Sequence, residues 1–198
     1  CGVAAAISAG FSSPIGGIIF AHEAILRHFS FKAIAPIAVS SVVSSTLTIY
    51  FFPSGILFQN TDARIELLPA VSLSLLLGPI CALGAVTFMR SLLALQKNVQ
   101  IVGTTDLSRI IIAVIICGFL GGFFPEILGL GGSTIVGILD NSFSLGFLFT
   151  ILFLKLFVTV ICLSLGFFGG VFSPALVLGA SVGGIFTIFG NFIGFETL

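Results

Sequence analysis

The chain has 198 residues, of which 58% are hydrophobic and only 7% charged, and its mean hydropathy is +1.31. Soluble domains carry about 25% charged residues, so this chain could not cover its surface in water. Seven basic and seven acidic side chains cancel, which excludes the basic footprint of a nucleic-acid-binding protein.

Charge placement divides the chain. Uncharged runs cover residues 1–21, 33–61, 67–89, 110–125, 141–154 and 156–195. A membrane-spanning helix needs about 20 apolar residues. Residues 33–52 and 67–89 therefore read as full spans, 110–125 falls short of one, and 156–195 holds one span plus part of another. Such uneven lengths predict an all-α polytopic membrane protein with tilted and re-entrant helices. Residues 1–21 lack the basic flank of a cleavable signal peptide. The absence of an initiating Met is read as a chain that starts inside a longer protein.

In chain order, helices are predicted over about 2–10, from Ser13-Pro14 toward 28, and over 32–52, 66–97 and 106–123. A Gly-rich loop at 129–133 and a short helical piece follow, then helices near 145–164 and 173–192. Ser12-Ser13-Pro14 and Phe172-Ser173-Pro174 both place Ser ahead of Pro. Ser caps free amides and Pro tolerates the first helical position, so helix starts are expected at Pro14 and Pro174.

Arg27 and Lys32 lie between the first two runs, and Arg90, Lys97, Asp106 and Arg109 follow the third. Lys and Arg mark cytoplasmic loops, so 27–32 and 90–109 are assigned to the cytoplasm and 54–66 and 126–140 to the outside. Tyr50-Phe51-Phe52-Pro53 reads as an interfacial anchor. Cys1, Cys81, Cys117 and Cys162 have no metal or redox spacing and read as packing residues. Paired glycines, such as Gly16-Gly17 and Gly183-Gly184, suit close helix packing in lipid.

The segment Ser164-Leu165-Gly166-Phe167-Phe168-Gly169-Gly170-Val171-Phe172-Ser173-Pro174 interrupts a forty-residue uncharged run with glycine and proline. Irregular backbone at membrane depth survives only when buried in protein or lining a polar cavity. Two readings fit: a packing kink at Gly169-Gly170, or an anion site. In the second, main-chain amides precede a helix whose N-terminus carries roughly +0.5 of a charge. Such a site replaces water around an anion without the grip of a full positive charge.

Glu23 ends an apolar helix with Arg27 four residues on. It reads as an i,i+4 pair or as part of a proton or water path. His22-Glu23 lacks the second histidine that a zinc-protease helix needs, since position 26 is Leu, and no metal site is expected. Lys155, alone in an apolar helix, reads as a structural charge, as a functional one, or as a side chain snorkelling to a polar cavity.

Gly170-Val171-Phe172-Ser173-Pro174 resembles the G-x-F-x-P signature of the CLC family of chloride channels and chloride/proton antiporters, and Leu178-Gly179-Ala180-Ser181 extends the match. A second stretch, from Ala4-Ala5-Ala6 through Phe11-Ser12-Ser13-Pro14-Ile15-Gly16-Gly17 to Glu23, resembles the same family. The resemblance implies an inverted-repeat fold, with 1–53 ending the first repeat and 66–198 forming much of the second. It implies chloride held by backbone amides at Gly170, Val171 and Phe172, with Ser173 and Pro174 at the helix N-cap. It also implies a homodimer, with the helices near 15–27 and 33–52 contributing to the interface.

Other elements of the family would lie before Cys1 and beyond Leu198, so a fragment of one transport domain is expected. The internal proton glutamate of family antiporters corresponds to Ala24, which favours passive conductance over exchange. No cofactor is expected beyond the transported anion, nor an enzymatic activity. A bacterial-type plasma membrane is the expected location. An intramembrane enzyme and a non-transporting truncated copy are the competing readings.

Overall fold

The computed structural model describes residues 1–28, 30–52, 67–101, 106–167 and 169–193. The predicted outward loop at 54–66 lies outside the described residues. The chain divides into two compact units, Cys1–Ala63 and Arg64–Leu198. Eight α-helices and no strand are found among the described residues.

The first unit holds α1 (Gly2–Phe11), α2 (Pro14–Phe20), a π-helical turn (Ala21–Leu26) and α3 (Phe31–Phe51). Their apolar contact centres on Ala4, Ala21 and Ile37, with Ile18, Leu26 and Ala33 around it. A row of hydroxyls on α3 binds the shorter helices through their carbonyls. Ser40, Ser41 and Ser44 donate to the carbonyls of Cys1, Pro14 and Ala5 at 3.1, 2.7 and 2.9 Å. Ser8 of α1 donates back to Ser41 O at 2.6 Å. Interhelical hydrogen bonds of this kind contribute about 0.6 kcal/mol each in membranes.

Gly17 makes the close approach feasible, because a Cβ there would lie 2.6 Å from Ala4 O and 2.9 Å from Ser41 Oγ. The helix does start at Pro14 with Ser13 at the N-cap, but no Ser13 side-chain cap forms. This corrects the expected capping role.

The second unit holds α4 (Leu67–Ile101), α5 (Asp106–Phe123), a 3-10 turn (Pro125–Ile127), α6 (Gly132–Leu139), α7 (Leu145–Ser164) and α8 (Phe172–Ile193). Phe88 and Leu92 of α4 bury against Val160 of α7, while Ile135, Ile151 and Val177 join α6, α7 and α8. Among the described residues, four helices are long and apolar enough to cross a membrane: Phe31–Phe51, Leu73–Val99, Leu145–Ser164 and Phe172–Asn191. At 1.5 Å per residue, the 35 residues of α4 extend about 52 Å, well beyond an apolar core of about 30 Å. Pro36 and Pro79 sit inside α3 and α4, where membrane helices tolerate the lost ladder bond.

Tyr50 is exposed at the end of α3, edge-on to Phe51. Cys81, Cys117 and Cys162 are half-buried free thiols, whereas Cys1 is exposed and so does not pack as expected. Replacing Gly17 by Val should force α2 away from α1 and α3 and cost about 1–3 kcal/mol. A lower melting temperature of the detergent-purified protein, read as loss of the monodisperse peak, is the expected result.

Candidate anion site at the N-terminus of α8

The break between α7 and α8 starts with a helix terminator. Gly166 takes the left-handed conformation (φ 94°), Phe167 N–H donates to Cys162 O at 2.9 Å, and Gly166 N–H donates to Leu163 O at 3.4 Å. This 6→1 and 5→2 pairing is a Schellman motif, and it ends α7 by satisfying its last carbonyls. Gly169 and Gly170 lie outside regular structure, the chain bends at Val171 and α8 begins at Phe172.

The α8 ladder is closed by Ala175 N–H donating to Val171 O at 3.1 Å. Main-chain N–H groups ahead of Ala175 therefore fall outside the intrahelical ladder, and Pro174 brings none. The helix begins two residues before the expected start at Pro174, so Ser173 is its second residue rather than its cap. The difference arises because Val171, rather than Ser173, supplies the first carbonyl of the ladder. Ser173 Oγ instead donates to Leu130 O at 2.5 Å.

Gly170, Val171, Phe172, Ser173 and Pro174 thus form one contiguous helix entry, and not the middle of a continuous helix. Gly169, Gly170, Val171 and Phe172 are all exposed. Among the described residues, a Cβ on Gly170 would meet nothing within 4 Å. No charged side chain lies between Lys155 and the end of α8. The arrangement offers an anion main-chain dipoles and a helix N-terminus without a point charge.

Lys155 is where the sequence reading was least specific. It is 3% exposed and does not snorkel. Its Nζ donates to Ile127 O at 2.7 Å and to Gly129 O at 3.1 Å. That loop is bent by two glycines in the left-handed region, Gly129 (φ 61°) and Gly131 (φ 71°). The Val177 side chain of α8 fills the space that a Cβ on Gly131 would need. The lone charge and the Gly-x-Gly loop were both visible in the sequence, but nothing in their spacing paired them.

Glu23 belongs to the first unit. It is exposed on the π-helical turn, where a cleft of about 300 Å³ is lined by Ile19, His22, Glu23, Arg27 and His28. His22 is buried, and its Nδ1 lies 2.9 Å from Ile18 O. A carbonyl accepts only, so Nδ1 carries the proton. The carbonyl that an α-helix would pair with the His22 amide is thus shared with the ring, which favours the wider π turn at this point.

Among the described residues no ion pair joins Glu23 to Arg27, contrary to one of the two readings. The reason is local: Arg27 leaves the helix in the left-handed conformation (φ 55°) and is not an α-helical i,i+4 neighbour. No cluster of three or more metal-ligating side chains occurs among the described residues.

Comparison with known proteins matches residues 1–196 to a family model described as voltage gated chloride channel. The chain is 27% identical over 203 residues to chloride channel protein CLC-f of Arabidopsis thaliana, covering 93% of this chain and 26% of that protein. It is 32% identical over 194 residues to the H(+)/Cl(-) exchange transporter ClcA of Cronobacter sakazakii, covering 93% of this chain and 41% of the relative. The ClcA of Salmonella newport is 30% identical, with 93% and 40% covered. The chain therefore spans well under half the length of these relatives.

Two glycine substitutions separate packing from open space. Gly131→Ala should destabilise the protein by about 1–3 kcal/mol, through a strained φ and a clash with Val177. Gly170→Ala should leave the melting temperature unchanged, because its methyl group meets open space. Melting curves of the two detergent-purified variants check both outcomes.

Proposed function

The chain belongs to the voltage-gated chloride channel family, and from that premise we propose that it builds part of a transmembrane pathway for chloride, held by main-chain amides at the N-terminus of α8. The observation that carries this reading is the exposed, uncharged helix entry at Gly170-Val171-Phe172, set between two apolar helices of spanning length. A dehydrated anion needs donors to replace its water, yet it must also leave. Amides and a helix dipole meet both demands, where a lysine or arginine at the ion would retain it.

Passage is proposed to be passive. Ala24, at the position that resembles the internal proton glutamate of family antiporters, has no proton to carry. Coupled exchange is the second reading, supported by the relatives named H(+)/Cl(-) exchange transporters. Similarity to these bacterial proteins supports a bacterial-type plasma membrane. By family resemblance a second copy packs on α2 and α3, and 1–53 and 66–198 belong to successive inverted repeats.

Reversal potentials of the intact protein in a planar bilayer separate the two modes. Under a chloride gradient the current should reverse at the chloride equilibrium potential, and an added pH gradient should not move it. A shift with the proton gradient overturns passive conductance in favour of exchange. Absence of any chloride current or flux overturns the transport reading altogether.

A further inference from the structure

We propose that Lys155 is a positioning residue of the anion site: its buried ammonium ties down the Ile127–Gly131 loop to which Ser173 anchors the N-terminus of α8. The proposal rests on the chloride reading above and names a residue that acts on the site through its neighbours.

The loop presents an unusual run of carbonyls to its surroundings. Glu126 O accepts from Thr134 Oγ1 of α6 at 3.0 Å. Ile127 O and Gly129 O accept from Lys155 Nζ of α7. Leu130 O accepts from Ser173 Oγ of α8. Gly131 O accepts from Ile135 N–H at 2.9 Å and opens α6. Side chains of three helices thus converge on five successive peptides, and only Leu128 O is not among their acceptors.

Ile127 is 3% exposed and Lys155 is equally buried, so water does not replace the bond to Ile127 O if the ammonium is lost. A carbonyl left unsatisfied in such a place costs far more than an average hydrogen bond contributes. The loop then has reason to rearrange, and Leu130 O moves with it.

Ser173 is the second residue of α8, adjacent to Phe172 and two residues from Val171. Its bond to Leu130 O therefore determines where the proposed chloride-binding amides stand. Val177, one turn further, presses on Gly131 on the same side. A Cβ placed on Gly131 would also lie 3.9 Å from Lys155 Nζ, so the ammonium sits beside this contact. Position and charge act in the same sense, since a cation flanking the first turns of α8 adds to the positive end of the helix.

The test uses the intact, full-length protein in detergent, with chloride affinity from titration calorimetry and assembly from gel filtration and melting. Lys155→Met keeps the length of the side chain but removes the donors, and should weaken chloride binding on the order of tenfold in the folded fraction. Lys155→Arg restores charge and donors and should return affinity to within about threefold of the unmodified protein. Ser173→Ala should weaken binding by several-fold at unchanged yield, and it should add little on top of Lys155→Met, because both act through one tether.

A purely structural lysine would lower melting temperature while the surviving protein bound chloride normally, and that result overturns the proposal. If Lys155→Met does not assemble, the Ser173→Ala and Lys155→Arg variants decide it. Unmodified affinity in Ser173→Ala, or a Lys155→Arg protein that assembles normally and binds as weakly as Ser173→Ala, also overturns it. Failure of the unmodified protein to bind chloride removes the site reading itself, and this inference with it.

Discussion

Backbone carbonyls without access to water govern how this chain is assembled. In an apolar surrounding each polar group of the main chain must find a partner inside the protein. The segment from Glu126 to Gly131 is the clearest case, because beyond a short 3-10 turn ending at Ile127 it is neither helix nor strand. Lys155, Thr134 and Ser173 meet that requirement from three different helices, and in doing so fix α6, α7 and α8 around one point. The first unit solves a smaller version of the same problem with hydroxyls. Ser40, Ser41 and Ser44 of α3 reach carbonyls of Cys1, Pro14 and Ala5, so short helices gain partners that their own ladders do not supply.

The candidate site follows from the same constraint with the sign reversed. At the start of α8 the groups outside the ladder are donors, and what suits donors at an open helix end is an anion. The Schellman turn at Gly166 disposes of the α7 carbonyls just upstream. The two helix ends therefore differ: carbonyls at the end of α7 are paired by the turn, whereas α8 starts with amides that its own ladder does not use. In the proposed site an anion is met by amides and the helix dipole, with no charged side chain between Lys155 and the end of α8.

Much of the fold could be read from spacing alone. The limits of α3, α5 and α7 fall within a residue or two of the ends set by uncharged runs and by Ser, Gly and Pro. The helix entry at 170–174 was legible for the same reason: glycine and proline interrupt a long apolar run there. What could not be read were features set by tertiary partners. The start of α8 moved to Phe172 because Val171 supplies the first carbonyl. The buried His22 ring shares Ile18 O at the π turn of Ala21–Leu26, and Arg27 then leaves in the left-handed conformation, without the Glu23–Arg27 pair that was one of two readings of Glu23. Lys155 gave no hint of its acceptors, since a lone charge in a sequence does not name the loop that will fold against it.

The central claim is that an anion rests on the main chain at Val171 and Phe172. A crystal of the intact protein grown in bromide, with data collected at the bromine absorption edge, tests it directly. An anomalous peak is expected within hydrogen-bonding distance of those two amide nitrogens, in front of the α8 axis. Bromide peaks found only beside lysine or arginine side chains, with none at this helix entry, would contradict it.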